Sequence, residues 1–281
     1  MRVLITGAGG QLGADLILSF GEHDVIALAH ADLDVGDRDA CLRAISEAHP
    51  DVIVHAAAYT DVDGCESDPE RAWRDNVTGS QNVAEAARSS AAFLIAISSD
   101  YVFDGTATEP YAEDAPVSPM SVYGKSKAAG ERAAMEANPG ATAIVRSSWI
   151  YGATGKNFVK TILRLAGERE ALDVVDDQTG APTWSLDLAR AIAALSAARK
   201  PGIWHVTNAG ATTWFGFTRA IFELRGLDPD RVRPTTSAMF ARPAPRPAYS
   251  VLGDDAWRAA GFTPMRLWRD ALREALPMIA R

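Results

Sequence analysis

The stretch Gly7-Ala8-Gly9-Gly10-Gln11-Leu12-Gly13 follows a short apolar run, Val3–Thr6, and opens a helical pattern over Gly13–Phe20. A strand that turns through glycines straight into a helix is the first half of a βαβ unit, which commits the next strand to run parallel to the first. Glycine lets the backbone turn sharply and approach a pyrophosphate, which then rests on the helix N-terminus. Glycines also serve plain turns. Their place here, between strand and helix, favours a dinucleotide site.

The rest of the first half keeps that rhythm. Asp24–Ala29, Asp51–His55, Phe93–Ser98 and Thr142–Arg146 read as strands, alternating with helical patterns at Arg38–Ala48, Ala72–Arg88 and Val122–Glu136. Short apolar strands separated by amphipathic helices predict a parallel sheet covered on both faces, an α/β doubly wound Rossmann-type domain over residues 1–150. Beyond Trp149 the rhythm loosens. Helices are expected at Phe158–Glu168, Leu186–Ala198, Trp214–Arg225 and Leu267–Ala275, with a strand at Gly202–Val206 and a Pro/Arg-rich loop at Ala241–Pro247. Residues 151–281 then form a smaller α/β substrate-binding lobe, with chain crossing between the two.

The chain has 281 residues, 47% of them hydrophobic and 23% charged, which suits a globular protein. Its formal charge of −8 argues against a nucleic-acid partner, because neutralising phosphates needs a basic surface. A local basic pocket still suits one phosphorylated ligand. Cys41 and Cys65 lack metal-type spacing and read as free thiols. The first residues pass straight into a strand, with no signal-peptide pattern, and no apolar run is long enough to span a bilayer. A cytoplasmic protein with no membrane partner is expected.

At the adenosine end, an acid about twenty positions past the glycines would bind a ribose 2′-hydroxyl. Asp32 and Asp34 fall in that window but not at the strand end, and His30 would suit a 2′-phosphate. NADH and NADPH both stay open. The small residues after His55, Ala56-Ala57-Ala58, leave room for a cofactor across the third strand, or pack a helix closely there. Asn76 is placed to tie neighbouring strands together.

The chemistry concentrates in Ser98-Ser99-Asp100-Tyr101-Val102-Phe103-Asp104-Gly105 and Tyr123-Gly124-Lys125-Ser126-Lys127. Tyr123 and Lys127, four apart, share a helix face. An ammonium beside the phenol would lower its pKa, and the lysine can also hold the nicotinamide ribose. Ser99, 24 residues earlier at a strand end, offers a hydroxyl to orient a substrate carbonyl. Such a Tyr–Lys pair is common surface decoration by itself. After a glycine turn and a serine-ended strand, it points to an NAD(P)-dependent oxidoreductase.

The G-x-x-G-x-x-G spacing looks like that of extended short-chain dehydrogenase/reductases. S-S-D-Y-V-F-D-G, Y-G-K-S-K-A-A-G-E, R-S-S-W-I-Y-G, G-K-N-F-V-K-T-I-L-R-L-A, D-D-Q-T-G-A-P-T and R-P-A-Y-S-V-L together resemble the dTDP-4-dehydrorhamnose reductase family over essentially the whole chain. The resemblance implies reduction of the 4-keto group of dTDP-4-dehydro-L-rhamnose with NADPH or NADH. It implies Tyr123 as proton donor, Lys127 as its electrostatic partner and Ser99 where the family usually has threonine. Gly7, Gly10, Gln11, Leu12 and Gly13 would hold the pyrophosphate, Asp34 and Val35 the adenosine end, and Ala57, Ala58 and Tyr59 the nicotinamide side. Asp100 and Trp149 would contact the sugar, and Arg242, Arg246 and Ser250 the dTDP diphosphate. Some relatives hold Mg²⁺ at a dimer interface through glutamates; Gly13-Ala14-Asp15 and Thr183-Trp184-Ser185-Leu186-Asp187 lack the expected glutamate after A-P-T, so no metal is expected. A monomer and a homodimer both remain open. Two rivals share the fold: a nucleotide-sugar epimerase or dehydratase that retains its NAD, and a non-catalytic NADP-binding regulatory subunit. The intact Ser99, Tyr123 and Lys127 argue against the second.

Overall fold

The computed structural model describes residues 1–280. The first half of the chain runs β1 (Arg2–Thr6), α1 (Gln11–Ser19), β2 (Asp24–Leu28), α2 (Arg38–Ala48) and β3 (Val52–His55). Two short helices follow, α3 (Val62–Ser67) and α4 (Pro69–Trp73), which lead through a π-helical turn (Arg74–Thr78) into α5 (Gly79–Ser89). Next come β4 (Phe93–Ser99), a 3-10 turn (Asp100–Val102), α6 (Val122–Ala137) and β5 (Thr142–Ser147). The remainder is β6 (Ile150–Tyr151), α7 (Phe158–Glu168), β7 (Leu172–Val175), β8 (Thr179–Gly180), β9 (Thr183–Trp184), α8 (Ser185–Ala198) and β10 (Gly202–His205). It ends with β11 (Thr212–Thr213), α9 (Trp214–Leu224), β12 (Val232–Thr235), α10 (Asp255–Ala259) and α11 (Trp268–Ile279).

Six parallel strands form the main sheet in the order β10-β5-β4-β3-β1-β2. Each central strand is apolar on both faces, as a doubly covered sheet requires. Val3, Ile5, Val52, Val54, Ile95 and Val145 pack against Leu12 and Leu16 of α1 and Leu188, Ile192 and Leu195 of α8. The alternate residues Leu4, Ile53, Leu94 and Ile144 pack against Cys41 and Ile45 of α2, Val83 and Ala87 of α5 and Ala134 of α6. This is the doubly wound α/β architecture expected from the glycine turn. Strand order reverses at β1, between β2 and β3, so the crevice beyond the carboxyl ends of β1 and β3 is where such sheets bind ligands.

The chain crosses back in its second half: α8 covers one face of the sheet and β10 adds its outer strand, pairing with β5. A second core lies beyond it. There Val159 and Ile162 of α7, Phe217 and Ile221 of α9 and Leu272 and Leu276 of α11 pack around β7 and β12, which pair in parallel. Cys41 and Cys65 are buried free thiols, and burial pushes both pKa values up to about 11.

The helix expected over Ala72–Arg88 is not continuous. It is interrupted by the π turn at Arg74–Thr78, a feature that accommodates an extra residue and re-aims the side chains around it. Asn76, at its centre and 1% exposed, accepts the Tyr59 N–H at 2.8 Å and donates to the Tyr59 carbonyl at 3.1 Å and to Ser126 Oγ at 2.9 Å. It therefore ties the loop after β3 to helix α6, rather than tying strand to strand.

Candidate active site

The carboxyl end of β4 and the first turns of α6 bring Ser99, Asp100, Tyr123 and Lys127 together, all at least nine-tenths buried. Helix α6 starts where it does because two groups cap it. Ser121 Oγ accepts the Gly124 N–H at 3.1 Å, and Glu66 Oε1 accepts the Val122 N–H at 2.8 Å. Gly124 is required by contact: a Cβ there would lie 2.2 Å from the Tyr101 carbonyl oxygen. Tyr101 in turn packs edge-on against Tyr123, ring centroids 5.6 Å apart.

Burial pushes the Tyr123 phenol pKa up; the Ser99 hydroxyl beside it works against the rise and the Asp100 carboxylate adds to it. The expectation that Lys127 lowers this pKa is therefore corrected. The lysine Nζ is turned to the Ile97 carbonyl, 2.7 Å away, and desolvation of the phenol dominates. Lys127 itself is pulled down to about 8 by burial, with Glu131 opposing. A protonated phenol is the form a proton donor needs, so the direction suits reduction.

Asp100 Oδ1 accepts from Ser99 Oγ at 2.9 Å, while Oδ2 is buried without a hydrogen-bond partner. Burial raises its pKa to about 6, against the Ser250 and Ser99 hydroxyls. Beneath the site lies a buried ion pair that sequence reasoning did not single out. Arg146 of β5 donates to both oxygens of Glu131, Nε to Oε1 at 2.9 Å and Nη2 to Oε2 at 2.7 Å, the two side chains 2% and 7% exposed. Glu131 follows Lys127 by four residues, so Tyr123, Lys127 and Glu131 form one stripe along α6. That spacing was the available signal. His55, at the end of β3, is held neutral between Thr6 Oγ1 (2.8 Å) and Ser80 Oγ (3.3 Å), its pKa lowered to about 3 by burial and the Lys127 charge.

The glycine turn fits a dinucleotide. Gly7 has φ +70°, and a Cβ there would lie 2.6 Å from the Ala57 nitrogen; one on Gly13 would lie 2.4 Å from the Gly7 carbonyl oxygen. The turn is thus pressed against the end of β3, where Ala57, Ala58 and Tyr59 stand half-buried. Gly10 begins α1 with no side-chain cap, leaving the first amides of the helix available to an anion. Gln11 is half-buried and Leu12 packs into the core, so Leu12 can serve a cofactor only through its backbone.

At the adenosine end, Asp32 turns back to accept the Ala29 N–H at 2.9 Å. Asp34 is held by Arg74 and by the Gly36 N–H at 2.9 Å, and the arginine keeps its carboxyl below the usual range. The Val35 side chain is buried in the core against α2 and α5, which leaves only its backbone for a ligand.

The substrate side explains why three distant motifs occur together. Residues 247–250 run between the D-Y-V-F-D-G and D-Q-T-G-A-P-T segments as a seam. Tyr249 N–H donates to the Gly105 carbonyl at 3.1 Å, Thr179 N–H to Ala248 at 2.8 Å and Ser250 N–H to Thr179 at 2.8 Å. Gly105 has φ +78°, and a Cβ on it would meet Pro247 at 2.5 Å. Ser250 lands beside Asp100, and Arg246 beside Tyr101. Arg242 stands at the rim, 63% exposed. Trp149, with φ +47°, stacks on Trp214 at 3.5 Å and 6°; the Trp214 indole N–H donates to Gln178 Oε1 at 3.2 Å. No sequence pattern marked Trp214, since its partner lies 65 positions away.

Asp15 accepts from Ser185 Oγ, and Asp187 is taken by Arg266 (2.7 and 2.9 Å) and Asn208 (3.0 Å). Among the described residues, no group of three or more His, Cys, Asp or Glu side chains is arranged to hold a metal ion, and no helix is long and apolar enough to cross a membrane.

A family model described as RmlD substrate binding domain matches residues 1–280. A Streptomyces antibioticus protein named probable dTDP-4,6-dihydroxy-2-methyloxan-3-one 4-ketoreductase is 49% identical, over 99% of this chain and 96% of its own. A Streptomyces griseus protein named dTDP-4-dehydrorhamnose reductase is 47% identical, over 99% and 94%. Among solved structures, Bacillus anthracis dTDP-4-dehydrorhamnose reductase in complex with NADP superposes with a TM-score of 0.95, at 38% identity and 98% coverage of each chain.

Proposed function

The chain belongs to the RmlD substrate binding domain family, and we propose that it is an NAD(P)H-dependent oxidoreductase reducing the 4-keto group of dTDP-4-dehydro-L-rhamnose to give dTDP-L-rhamnose. The observation that carries this is the burial of Ser99, Tyr123 and Lys127 at one strand end, together with a glycine turn in which Gly7 and Gly13 have no room for a side chain. The crevice beyond β1 and β3 would hold NADPH or NADH, which when bound would supply the hydride. The uncapped start of α1 at Gly10–Gly13 would hold the pyrophosphate, Ala57, Ala58 and Tyr59 would wall the nicotinamide side, and Asp34 and Val35 would border the adenosine end.

In this reading the Ser99 hydroxyl turns from Asp100 to donate to O4 of the sugar, and Tyr123 delivers its phenolic proton to the same oxygen as negative charge develops there. Lys127 holds the nicotinamide ribose. Asp100, Trp149 and Ser250 orient the sugar, and Arg246 and Arg242 meet the diphosphate. We assign residues 1–150 chiefly to cofactor binding and 151–281 chiefly to the sugar nucleotide, with the chain crossing between the two through α8 and β10. We place the reaction in the cytoplasm, in a monomer or homodimer with no nucleic-acid partner.

The test is an assay on dTDP-4-dehydrorhamnose made enzymatically from dTDP-glucose, with the product resolved by NMR. One NAD(P)H should be consumed per dTDP-L-rhamnose formed; turnover without net NAD(P)H consumption would instead mark an epimerase or dehydratase. The 49% identity to a protein named for 4-ketoreduction of another dTDP sugar favours a second reading, the same chemistry on a different deoxyhexose. The NMR spectrum separates the two.

The state of Lys127 gives a pH dependence. Its ammonium form predominates below about 8 and is lost as pH rises through that value. The phenol, moved the other way, stays protonated there. The kcat/KM for the cofactor, which reports groups of the free enzyme, is therefore expected to fall along one alkaline limb near pH 8. A profile flat to pH 10 would remove Lys127 from the site.

A further inference from the structure

Residues 236–250 form a strap between the two halves of the molecule. At its start, Asp177 accepts the Ser237 N–H at 2.9 and 3.0 Å, and Gln178 donates to Ser237 Oγ at 2.7 Å. At its end, Tyr249 and Ser250 are stitched to Gly105 and Thr179. Between these anchors the strap reaches α3, and there it meets a single carboxylate. Arg246 grips Asp63 with both arms of its guanidinium, Nη1 to Oδ1 at 2.5 Å and Nη2 to Oδ2 at 2.9 Å. The Ala244 N–H donates to the same Oδ1 at 3.2 Å, and Arg242 Nη1 lies 3.7 Å from Oδ2. Among the described residues, Asp63 is the one carboxylate paired with either arginine.

The arithmetic of charge is uneven. Two guanidiniums face one carboxylate, and the fork that grips it is the geometry that also receives a phosphate. A sugar-nucleotide diphosphate carries two negative charges and matches both arginines better than Asp63 does. Arg246 also lies against Tyr101, whose ring packs on Tyr123, so whatever Arg246 holds is held at the mouth of the reaction site.

We propose that Asp63 is a latch: without ligand it clasps Arg246 and Arg242 and pins the strap to α3, and it yields both arginines to the diphosphate of the incoming sugar nucleotide. This rests on the dTDP-sugar reading above. The ligand then carries the work of opening the latch, so a compound lacking the diphosphate leaves the strap pinned.

The test compares wild type with Asp63→Asn, which keeps the shape and removes the charge, and with Asp63→Ser as a second variant should the first fold poorly. Without ligand, backbone hydrogen exchange over residues 241–246 should be faster in both variants. Calorimetry with dTDP should show binding about fivefold tighter than wild type, the scale of one part-exposed ion pair no longer competing. Weaker dTDP binding in the variants would make Asp63 a support for the bound arginines and overturn the latch, as would unchanged exchange of the strap. If dTDP binds neither wild type nor variants, the ligand reading falls and the competition with it, while the exchange result still decides whether Asp63 pins the strap.

Discussion

Tyr123→Phe is expected to lower turnover by about 10²–10⁴-fold while leaving NAD(P)H affinity near that of wild type. The change removes one oxygen and no volume that the packing against Tyr101 depends on, so α6 and its caps stay in place. What disappears is the acid. Ser99 has its hydroxyl engaged with Asp100, and the other groups at that strand end whose pKa burial raises, Asp100 and Tyr101, are the ones that would have to replace the phenol. Each tenfold loss corresponds to about 1.4 kcal/mol of transition-state stabilisation. Single-turnover kinetics with bound cofactor read this directly, and a variant within a few-fold of wild type would displace Tyr123 as the donor.

Glu131→Gln is expected to have the largest effect on stability. Arg146 is 2% exposed, and its guanidinium is answered by the two Glu131 oxygens, with the Glu113 carbonyl (3.3 Å) and His205 (3.4 Å) as weaker neighbours. Removing one partner of a buried pair leaves an uncompensated charge, which costs about 3–5 kcal/mol. For a chain of this size the melting temperature should fall on the order of 10 °C. The double change Glu131→Leu with Arg146→Met should recover much of the loss, since neither charge is then buried alone. The substitution also takes from Lys127 the carboxylate that supports its ammonium, so the alkaline limb of activity should move to lower pH. A melting temperature within a degree of wild type would mean that water or a shifted side chain reaches Arg146.

The first half of the fold was legible because each of its signals is local. A βα unit is written in consecutive residues, and Tyr123 and Lys127 are bound to share a helix face. What stayed hidden depends on pairs far apart in the chain. Nothing in Leu172–Val175 or Val232–Thr235 announces that they pair, and Asp63 meets Arg246 across 183 positions. Glu131 and Arg146 read as ordinary charges until the sheet places both in the interior. The Tyr123 pKa went the other way from expectation for a related reason: spacing fixes the helix face but not the direction of the lysine head, nor how much water the phenol loses. Local order hides distances.

The return of α8 and β10 to the main sheet has a consequence for how the protein is made. When a ribosome has released only the first 150 residues, Val3, Ile5, Val54, Ile95 and Val145 still lack the α8 side chains that cover them, and β5 still presents an unpaired edge. Such surfaces invite association between nascent chains. The first 150 residues are therefore expected to complete their fold only once α8 and β10, through His205, have emerged. Expression of the protein in two pieces divided at 150 is expected to give an aggregating first piece, rescued by supplying the second during synthesis.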